Sequence, residues 1–305
     1  MRFLSTGLDS LDRSGNGGIR LGNITEVVGR AGAGKTQFAL QLVLMAAKYN
    51  QGAMYIDTEK KLILSRLKEM ATQRWCQETA QSDDRSTNSD GRNHDGSTSN
   101  NHAAENLFAF KHPDEVLQNM TVKQPHSTEQ LLEVLQTAEE EILHRNQEAA
   151  FPVRLLIVDS ITAPLSRDFG TNAVPQRAAT VFSIAQTLKR YAEQLHLAVI
   201  VINQVGLDAQ SAPSGGPERR HDQVAVRAAL GTSWFHCVST RLLVDHEVDP
   251  HREGWNPDSG KYNQWRSLVV VKSNWMPFTK LYFEITTVGI EETHLPDLQD
   301  GHCRE

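Results

Sequence analysis

The sequence predicts an α/β protein built on a mainly parallel sheet, and three observations support this prediction. Apolar strands alternate with helical segments along the chain, two of these strands end in acidic residues, and a glycine-rich octet lies between a strand and a helix. Alternation of this kind is typical of parallel strands joined by crossover helices. Open sheets of this class hold their ligands at the carboxyl ends of the strands. We therefore expect the functional residues at those ends.

The octet from Gly29 to Thr36 fits the phosphate-binding pattern G-x-x-x-x-G-K-[ST] in the required context. The β-branched run Ile24–Val28 precedes it, and an apolar helical segment, Lys35–Asn50, follows it. Glycines let backbone N–H groups converge on a phosphate, and the helix start adds a partial positive charge. The predicted nucleotide-binding residues are Gly29, Arg30, Ala31, Gly32, Ala33, Gly34, Lys35, Thr36 and Gln37. The alternative is a glycine-rich turn without a ligand.

Two side chains of the octet have distinct predicted roles. Lys35 is placed to reach the β- and γ-phosphates, and the Thr36 hydroxyl to hold Mg²⁺. Asp159 closes the apolar strand 154–158 and is predicted to be the second acid of the Mg²⁺ site, acting through water because Mg²⁺ keeps much of its hydration shell. A carboxylate that only caps the next turn is the alternative for Asp159.

Candidates for the chemistry of hydrolysis come from the ends of two other strands. No glutamate follows Asp159, because Ser160 stands there, so a residue that orients the attacking water must come from elsewhere. Glu59 follows the strand Ala53–Ile56 and is the candidate; a surface-loop glutamate is the alternative. Gln204 ends the strand Leu197–Gln204 and could sense the γ-phosphate, or could merely terminate the strand. The predicted catalytic residues are Glu59, Lys35 and Gln204.

The other predicted elements follow from periodicity and capping signals. The sequence 127–130 fits a capping box, and an inner stripe then marks a helix. The C-terminal part is predicted to be a β-rich extension. The remaining elements are a strand at Val116–Val122, a helix at Pro175–Leu195, a long loop at Gly206–Val226, and strands at Ser239–Asp245, Trp265–Lys272 and Thr279–Ile285.

Between Thr79 and Asn106 the composition changes to Ser, Asn, Asp, Gly and Thr. A segment with so few apolar residues cannot bury enough surface to offset the conformational entropy lost on ordering. We therefore predict a disordered insertion. It contains five acidic residues and two arginines, and so carries half of the chain's net charge of −6. The domain prediction is one core at 1–290, interrupted by this insertion, with a polar tail at 291–305.

Composition excludes several classes of protein. The 305 residues contain no apolar run of membrane-spanning length, and the first residues do not resemble a secretory signal. Three cysteines without paired spacing argue against a disulfide framework and against a zinc site, and indicate a reducing compartment. Because the net charge is negative, contacts with nucleic acid must come from local patches. Arg219, Arg220 and Arg227 form the candidate DNA-binding cluster, and a solvated surface loop is the alternative.

Taken together, these motifs resemble the ATPase core of the RecA-type recombinases of eukaryotes and archaea, and within that family the recombinase paralogs. The resemblance covers roughly residues 4–290 apart from the insertion. The matching pieces are Ser5-Thr6-Gly7, Leu11-Asp12, Gly17-Gly18, Ile24-Thr25-Glu26, the loop Gly29–Gln37, Tyr55–Glu59, Leu156–Ser160, Asn203-Gln204-Val205 and Ala229–Trp234.

The resemblance implies a RecA-like P-loop ATPase core that binds ATP with Mg²⁺ and assists homologous-recombination repair of double-strand breaks in the nucleus. It implies contact with single-stranded or branched DNA through two loops, which by position are Asp168–Pro175 and Gly206–Val226. It also implies a second paralog subunit in a hetero-oligomer, and contact with the main recombinase. Weak DNA-stimulated ATP hydrolysis is expected. The alternative is an ATP-binding interaction subunit that stabilises a mediator complex.

Three features depart from the family pattern. The family's N-terminal helical DNA-binding domain and polymerisation linker find no counterpart in the sequence. The first loop contains no basic residue between Asp168 and Pro175, which weakens an expectation of strand exchange. The insertion at 79–106 has no family counterpart that we can assign.

Overall fold

The computed structural model describes residues 2–87, 112–148, 151–170, 173–204, 230–247 and 265–293. The helices in these ranges are α1 (Asp9–Ser14), α2 (Lys35–Lys48), α3 (Leu64–Thr87), α4 (Asp114–Gln118), α5 (Thr128–Glu148), α6 (Thr162–Asp168), α7 (Val174–Leu195) and α8 (Gly231–Cys237). The strands are β1 (Phe3–Leu4), β2 (Ile19–Arg20), β3 (Asn23–Gly29), β4 (Gly52–Asp57), β5 (Met120–Lys123), β6 (Val153–Asp159), β7 (Ala198–Gln204), β8 (Thr240–His246), β9 (Arg266–Ser273), β10 (Lys280–Thr286) and β11 (Gly289–Thr293).

Nine of these strands form one sheet in the order β11-β10-β9-β8-β3-β7-β6-β4-β5. The pairs from β8 across β3 to β5 are parallel, and the pairs β8–β9, β9–β10 and β10–β11 are antiparallel. The predicted fold class, a mainly parallel sheet flanked by helices with a C-terminal β-rich extension, is confirmed.

Strand register brings the predicted functional residues to one edge of the sheet. Gly29 at the end of β3 pairs with Gln204 at the end of β7. Asp57 at the end of β4 pairs with Asp159 at the end of β6. Because parallel strands present their carboxyl ends together, residues far apart in the chain meet above this edge.

Helices cover both faces of the parallel strands, which explains why those strands are apolar throughout rather than alternating. On one face, α2 and α3 pack on the sheet with the C-terminal strands, and Phe38 lies at 0% exposure in this core. On the other face, α5, α7 and α8 pack on the sheet around Trp234 and Tyr191. The central strands are thus packed on both faces, and their carboxyl ends lie together along one edge of the sheet.

The N-terminal turn is organised by one carboxylate. Asp12 accepts hydrogen bonds from the Ser5 hydroxyl (2.6 Å) and from the backbone N–H (2.8 Å) and hydroxyl (2.6 Å) of Thr6. Gly18 lies so close to Leu4 that a Cβ would be 2.1 Å from the Leu4 carbonyl oxygen. The Ser-Thr-Gly, Leu-Asp and Gly-Gly motifs that supported the resemblance therefore build this turn.

The C-terminal hairpin docks on the helix that follows the phosphate-binding octet. The buried Gln41 side chain of α2 donates to the Thr6 carbonyl (3.0 Å) and accepts from the Ile290 N–H of β11 (2.7 Å). Arg74 of α3 donates to the same Gln41 oxygen (2.9 Å) and to the Val288 carbonyl (2.7 Å). These bonds join the N-terminal turn, α2, α3 and β11 into one unit.

The strand predicted at Val116–Val122 is wrong in its first half. Residues Asp114–Gln118 form α4, and only Met120–Lys123 form a strand, β5. The acidic Asp114 and Glu115 lie in the first turn of α4, where the helix dipole favours negative charge. A short apolar run does not distinguish a helix from a strand, and here the packed environment selects the helix.

Two predicted boundaries also change. Helix α3 continues to Thr87, so the prediction of disorder is wrong for residues 79–87, and residues 88–106 lie outside the described ranges. Strand β11 ends at Thr293 and pairs with β10, so the predicted tail is wrong for residues 291–293, and residues 294–305 lie outside the described ranges. Both segments are polar, but backbone hydrogen bonds order them regardless of side-chain polarity.

None of the helices in the described ranges is long and apolar enough to cross a membrane. Cys76 and Cys237 are free thiols, and Cys303 lies outside the described residues.

Candidate nucleotide-binding site

The phosphate-binding octet forms a loop between β3 and α2, as the pattern predicts. Gly34 is the N-cap residue of α2 and has a φ of 110°, which favours glycine because other side chains rarely adopt it. Gly29 ends β3 against β8, and a Cβ there would lie 2.0 Å from the Val244 carbonyl oxygen. The first glycine is therefore required by close strand packing and the last by the turn into the helix.

The Lys35 ammonium is held at this loop. Its Nζ donates hydrogen bonds to the carbonyl oxygens of Gly29 (2.9 Å) and Arg30 (2.7 Å). Burial lowers the pKa of Lys35, and the nearby carboxylates of Asp159 and Glu59 oppose that shift. The amine thus has hydrogen-bond partners but little water, and an anionic phosphate would improve its environment.

Asp159 lies opposite the loop and binds two hydroxyl groups. Its Oδ2 atom accepts hydrogen bonds from the Thr36 hydroxyl and from the buried Tyr55 hydroxyl, each at 2.9 Å. Burial raises the pKa of Asp159, and these two hydrogen bonds oppose the shift. Burial and the neighbouring Asp159 also raise the pKa of Tyr55 well above its usual value, so the hydroxyl remains a donor.

The Glu59 carboxylate reaches the same space from the turn after β4. Its Oε1 atom accepts from the Ser160 hydroxyl at 3.0 Å, and the Gln204 amide nitrogen lies 3.5 Å from it. Its Oε2 atom forms an ion pair with Lys61. Both oxygens of the proposed base are therefore engaged in this structure.

The turn that carries Glu59 is fixed by the strand-end acid before it. The Asp57 carboxylate accepts from the backbone N–H groups of Glu59 and Lys61, each at 3.2 Å, and of Leu62 at 3.1 Å. The Thr58 N–H donates to the Asp159 carbonyl at 2.8 Å, which joins the ends of β4 and β6. Asp57 therefore positions Glu59 and does not itself enter the cavity.

One cavity of about 220 Å³ brings most of the predicted site together. It is lined by Ala31, Gly32, Gly34, Lys35, Thr36, Gln37, Glu59, Lys61, Asp159, Ile202, Gln204 and Ile285. A wider groove of about 670 Å³ between α5, α6 and α7 contains none of the predicted nucleotide or metal residues. Chemistry rather than volume therefore identifies the smaller cavity as the candidate site.

Three residues of the predicted nucleotide set lie away from this cavity. Gly29 ends β3, Ala33 is buried in the core, and the Arg30 side chain extends toward Asp245, with 3.7 Å between Arg30 Nε and Asp245 Oδ1. Arg30 is therefore placed against the end of β8.

The donor set fits Mg²⁺. The Thr36 hydroxyl and the Asp159 carboxylate offer hard oxygen atoms, and a site with so few protein groups leaves room for the waters that Mg²⁺ keeps and through which Asp159 would act. The described residues contain no group of three or more His, Cys, Asp or Glu side chains that would favour another metal.

Sequence reasoning missed several residues of this site. The Tyr55 hydroxyl, the Ser160 hydroxyl and Lys61 each contact a predicted functional carboxylate. Arg66 of α3 donates to the Gln37 side chain at 3.1 Å and to the Thr287 carbonyl at 3.2 Å. Two of them gave a signal in the sequence: Ser160 follows Asp159 directly, and Tyr55 begins one of the matching pieces of the resemblance.

The predicted DNA-binding residues Arg219, Arg220 and Arg227 lie outside the described residues, as does the loop Gly206–Val226. At the first predicted loop, α6 ends at Asp168 and α7 begins at Val174, and residues 171–172 are not described. The Asp168 carboxylate accepts from the backbone N–H of Thr128, so this residue caps the start of α5.

Comparison with known proteins agrees with the fold described above. A family model for Rad51 matches residues 1–97 and 101–246, which is well over half of the chain. The human "DNA repair protein RAD51 homolog 2" is 27% identical over 309 residues, which covers 94% of this chain and 68% of that protein.

Relatives named XRCC3 have comparable sequence identities to this chain. The "DNA repair protein XRCC3 homolog" of Arabidopsis thaliana is 25% identical over 311 residues, covering 95% of this chain and 92% of that protein. The "DNA repair protein XRCC3" of Mus musculus is 30% identical over 260 residues, covering 81% of this chain and 64% of that protein. These similarities confirm the resemblance to the recombinase paralogs.

Proposed function

Since the chain belongs to the Rad51 family, we propose that it binds ATP with Mg²⁺ and assists repair of DNA double-strand breaks by homologous recombination. Relatives with DNA-repair names align with nearly the whole chain, which supports the repair role. A nuclear location follows from the same role. The support for binding of ATP with Mg²⁺ comes from residues of the chain itself.

The observation that carries the proposal is the convergence of Lys35, Thr36 and Asp159 on one cavity beside the phosphate-binding loop. Lys35 holds an ammonium group ready for the β- and γ-phosphates. The Thr36 hydroxyl lies 2.9 Å from the Asp159 carboxylate, and these two groups would hold Mg²⁺, with Asp159 acting through water. When bound, Mg²⁺ would neutralise phosphate charge.

Turnover would depend on Glu59 and Gln204. Glu59 would orient water, and Gln204, whose amide lies 3.5 Å from Glu59, would respond to the γ-phosphate. We propose weak DNA-stimulated hydrolysis, with single-stranded or branched DNA bound by Arg219, Arg220 and Arg227. A second paralog subunit and the main recombinase are the proposed protein partners.

One observation favours the second candidate function, an ATP-binding interaction subunit that stabilises a recombination-mediator complex. Glu59 is ion-paired with Lys61 and accepts a hydrogen bond from Ser160, so each of its oxygens already has a partner that competes with an attacking water. Productive hydrolysis would require this ion pair to open. If it does not open, ATP serves to stabilise an interface.

The deciding experiment measures ATP·Mg²⁺ affinity and turnover for the wild type, for Lys35→Ala and for Lys189→Ala, with and without single-stranded DNA. Loss of a charged hydrogen bond to phosphate weakens binding by roughly 10- to 100-fold. Lys189 lies on the exposed face of α7, with 61% of its side chain exposed, and serves as the control for removal of a lysine charge. Unchanged affinity in Lys35→Ala would refute the nucleotide site.

Turnover then separates the two candidate functions. DNA-stimulated release of phosphate supports the ATPase, whereas tight ATP binding without turnover, alone and with a paralog partner, supports the interaction subunit.

A further inference from the structure

A charged side chain lies in the core beneath the nucleotide site, where neither the phosphate loop nor the metal uses it. Glu26, in the middle of β3, is 1% exposed, and it lies on the sheet face that α7 and α8 cover. An unpaired carboxylate in this position would be very unfavourable. Glu26 must therefore be held by donors, and these donors indicate what it does.

Three donors from three different elements meet at this carboxylate. Asn203 Nδ2 of β7 (2.7 Å) and Trp234 Nε1 of α8 (2.9 Å) donate to Oε1. Arg241 Nε of β8 donates to Oε2 at 2.7 Å, and this guanidinium is 3% exposed. One buried charge thus joins β3, both of its neighbouring strands and one helix.

Helix α8 depends on this carboxylate more than a longer helix would. It has only seven residues, so its own hydrogen bonds contribute little, and packing must hold it. Besides the Trp234 bond, the Arg241 guanidinium lies 4.8 Å and the Lys272 amine 4.1 Å from the centre of the Phe235 ring. Lys272 also donates to the Val238 carbonyl at 2.6 Å, just after the helix.

The same carboxylate reaches the nucleotide cavity through β7. Asn203 directly precedes Gln204, and successive strand residues point to opposite faces. The Asn203 side chain therefore bonds Glu26 beneath the sheet while Gln204 lines the cavity above the strand end. A shift of β7 at Gln204 would also move Asn203. Because Asn203 and Trp234 donate to the same oxygen of Glu26, Oε1, this movement would change the contact that holds Trp234.

We propose that Glu26 is a positioning residue that couples the nucleotide cavity to α8, so that ligand contact at Gln204 changes how firmly α8 is held. Glu26 connects the last residues of β7 to α8. The nucleotide half of this inference rests on the proposed function. The other half is that the Glu26 carboxylate and its three donors hold α8 in place. We call this arrangement the clamp, and it rests only on the described contacts.

Hydrogen exchange of the α8 amides tests the clamp without any nucleotide. Trp234→Phe removes the indole donor and keeps an aromatic ring, and Glu26→Gln places an amide NH₂ against an existing donor in either orientation. Both variants should exchange roughly 10- to 100-fold faster at residues 230–238, because each loses a hydrogen bond to a charged acceptor. Exchange in β4 and β6 should be unchanged.

Trp275→Phe is the matched control. Its indole nitrogen is also buried but has no hydrogen-bond partner among the described residues, so its removal should leave α8 unchanged. Unchanged α8 exchange in both Trp234→Phe and Glu26→Gln would overturn the clamp. Equal acceleration throughout the chain would also overturn it, because that result indicates general destabilisation.

A second measurement tests the coupling, with a non-hydrolysable ATP analogue and Mg²⁺ on the full chain. In the wild type the analogue should slow α8 exchange, and in Trp234→Phe this response should disappear, with analogue affinity lowered by no more than the factor by which the analogue slows α8 exchange in the wild type. If the wild type binds the analogue with no change in α8, or if Trp234→Phe keeps the full response, the coupling is refuted. If the wild type binds no analogue, the proposed function fails, and the first measurement still decides the clamp.

Discussion

The Tyr55 hydroxyl provides a sharp test of the metal site, because it contacts the proposed Mg²⁺ acid without lying in the predicted ligand set. The ring is 0% exposed, and Tyr55→Phe keeps its volume and removes only the donor to Asp159. A hydrogen bond to a charged acceptor is worth about 1.5–3 kcal/mol. We expect Asp159 to retain the Thr36 bond but to lose its fixed orientation.

Residues that orient a metal ligand typically contribute about 10- to 100-fold in metal affinity. Tyr55→Phe should therefore weaken Mg²⁺-dependent binding of a fluorescent ATP analogue by about that factor. Binding in EDTA, which depends on Lys35 and the loop, should change little. The measurement is a Mg²⁺ titration at fixed analogue concentration, repeated in EDTA.

Tyr191→Phe is the matched control, because this buried tyrosine donates to the Leu135 carbonyl in the core on the other face of the sheet. It should lower the melting temperature by a few degrees, at roughly 2–4 °C per kcal/mol, without changing Mg²⁺ dependence. Equal Mg²⁺ affinity in Tyr55→Phe and wild type would refute the role of Asp159 as a metal ligand positioned by Tyr55.

Three further predictions concern turnover, the insertion and DNA. Glu59→Gln should keep ATP affinity and lower kcat by a large factor, because the carboxylate acts on the attacking water only in the transition state. Equal turnover in the variant and the wild type would show that another residue orients the water. Deletion of residues 88–106 should change the melting temperature by only a few degrees. Their composition offers little apolar surface to bury, and the entropy of loop closure depends only logarithmically on loop length. A large fall in melting temperature would show that the segment is packed. Arg219→Ala with Arg220→Ala should weaken single-strand binding about equally for all sequences and flatten the salt dependence by up to ~2 in slope, measured in the assembled complex. An unchanged slope would place DNA contacts elsewhere.

Local sequence patterns determined the phosphate loop and its flanking elements. The octet, the β-branched run before it and the apolar helix after it depend on contacts within a few residues, and the structure has β3 and α2 in these places. The acids at strand ends were also predictable, because continuous apolar strands indicate a sheet covered on both faces.

Local patterns were ambiguous where burial is partial. Residues 114–123 combine short apolar runs with acids, and only packing separates α4 from β5. Helix α8 and strand β11 were missed for a similar reason, since their order comes from Trp234 and from pairing with β10 rather than from their own periodicity.

Only the tertiary structure decided which distant residues meet. Tyr55 and Asp159 are 104 positions apart, and Glu26 and Arg241 are 215 apart, yet each pair forms a buried hydrogen bond. Such pairs follow from strand order and register, which bring β4 next to β6 and β3 next to β8. The sequence by itself determined that this chain has a phosphate-loop motif followed by acids at strand ends, because those signals are local. Strand pairing decided which side chains bind these acids, because strand pairing is set by burial between distant parts of the chain.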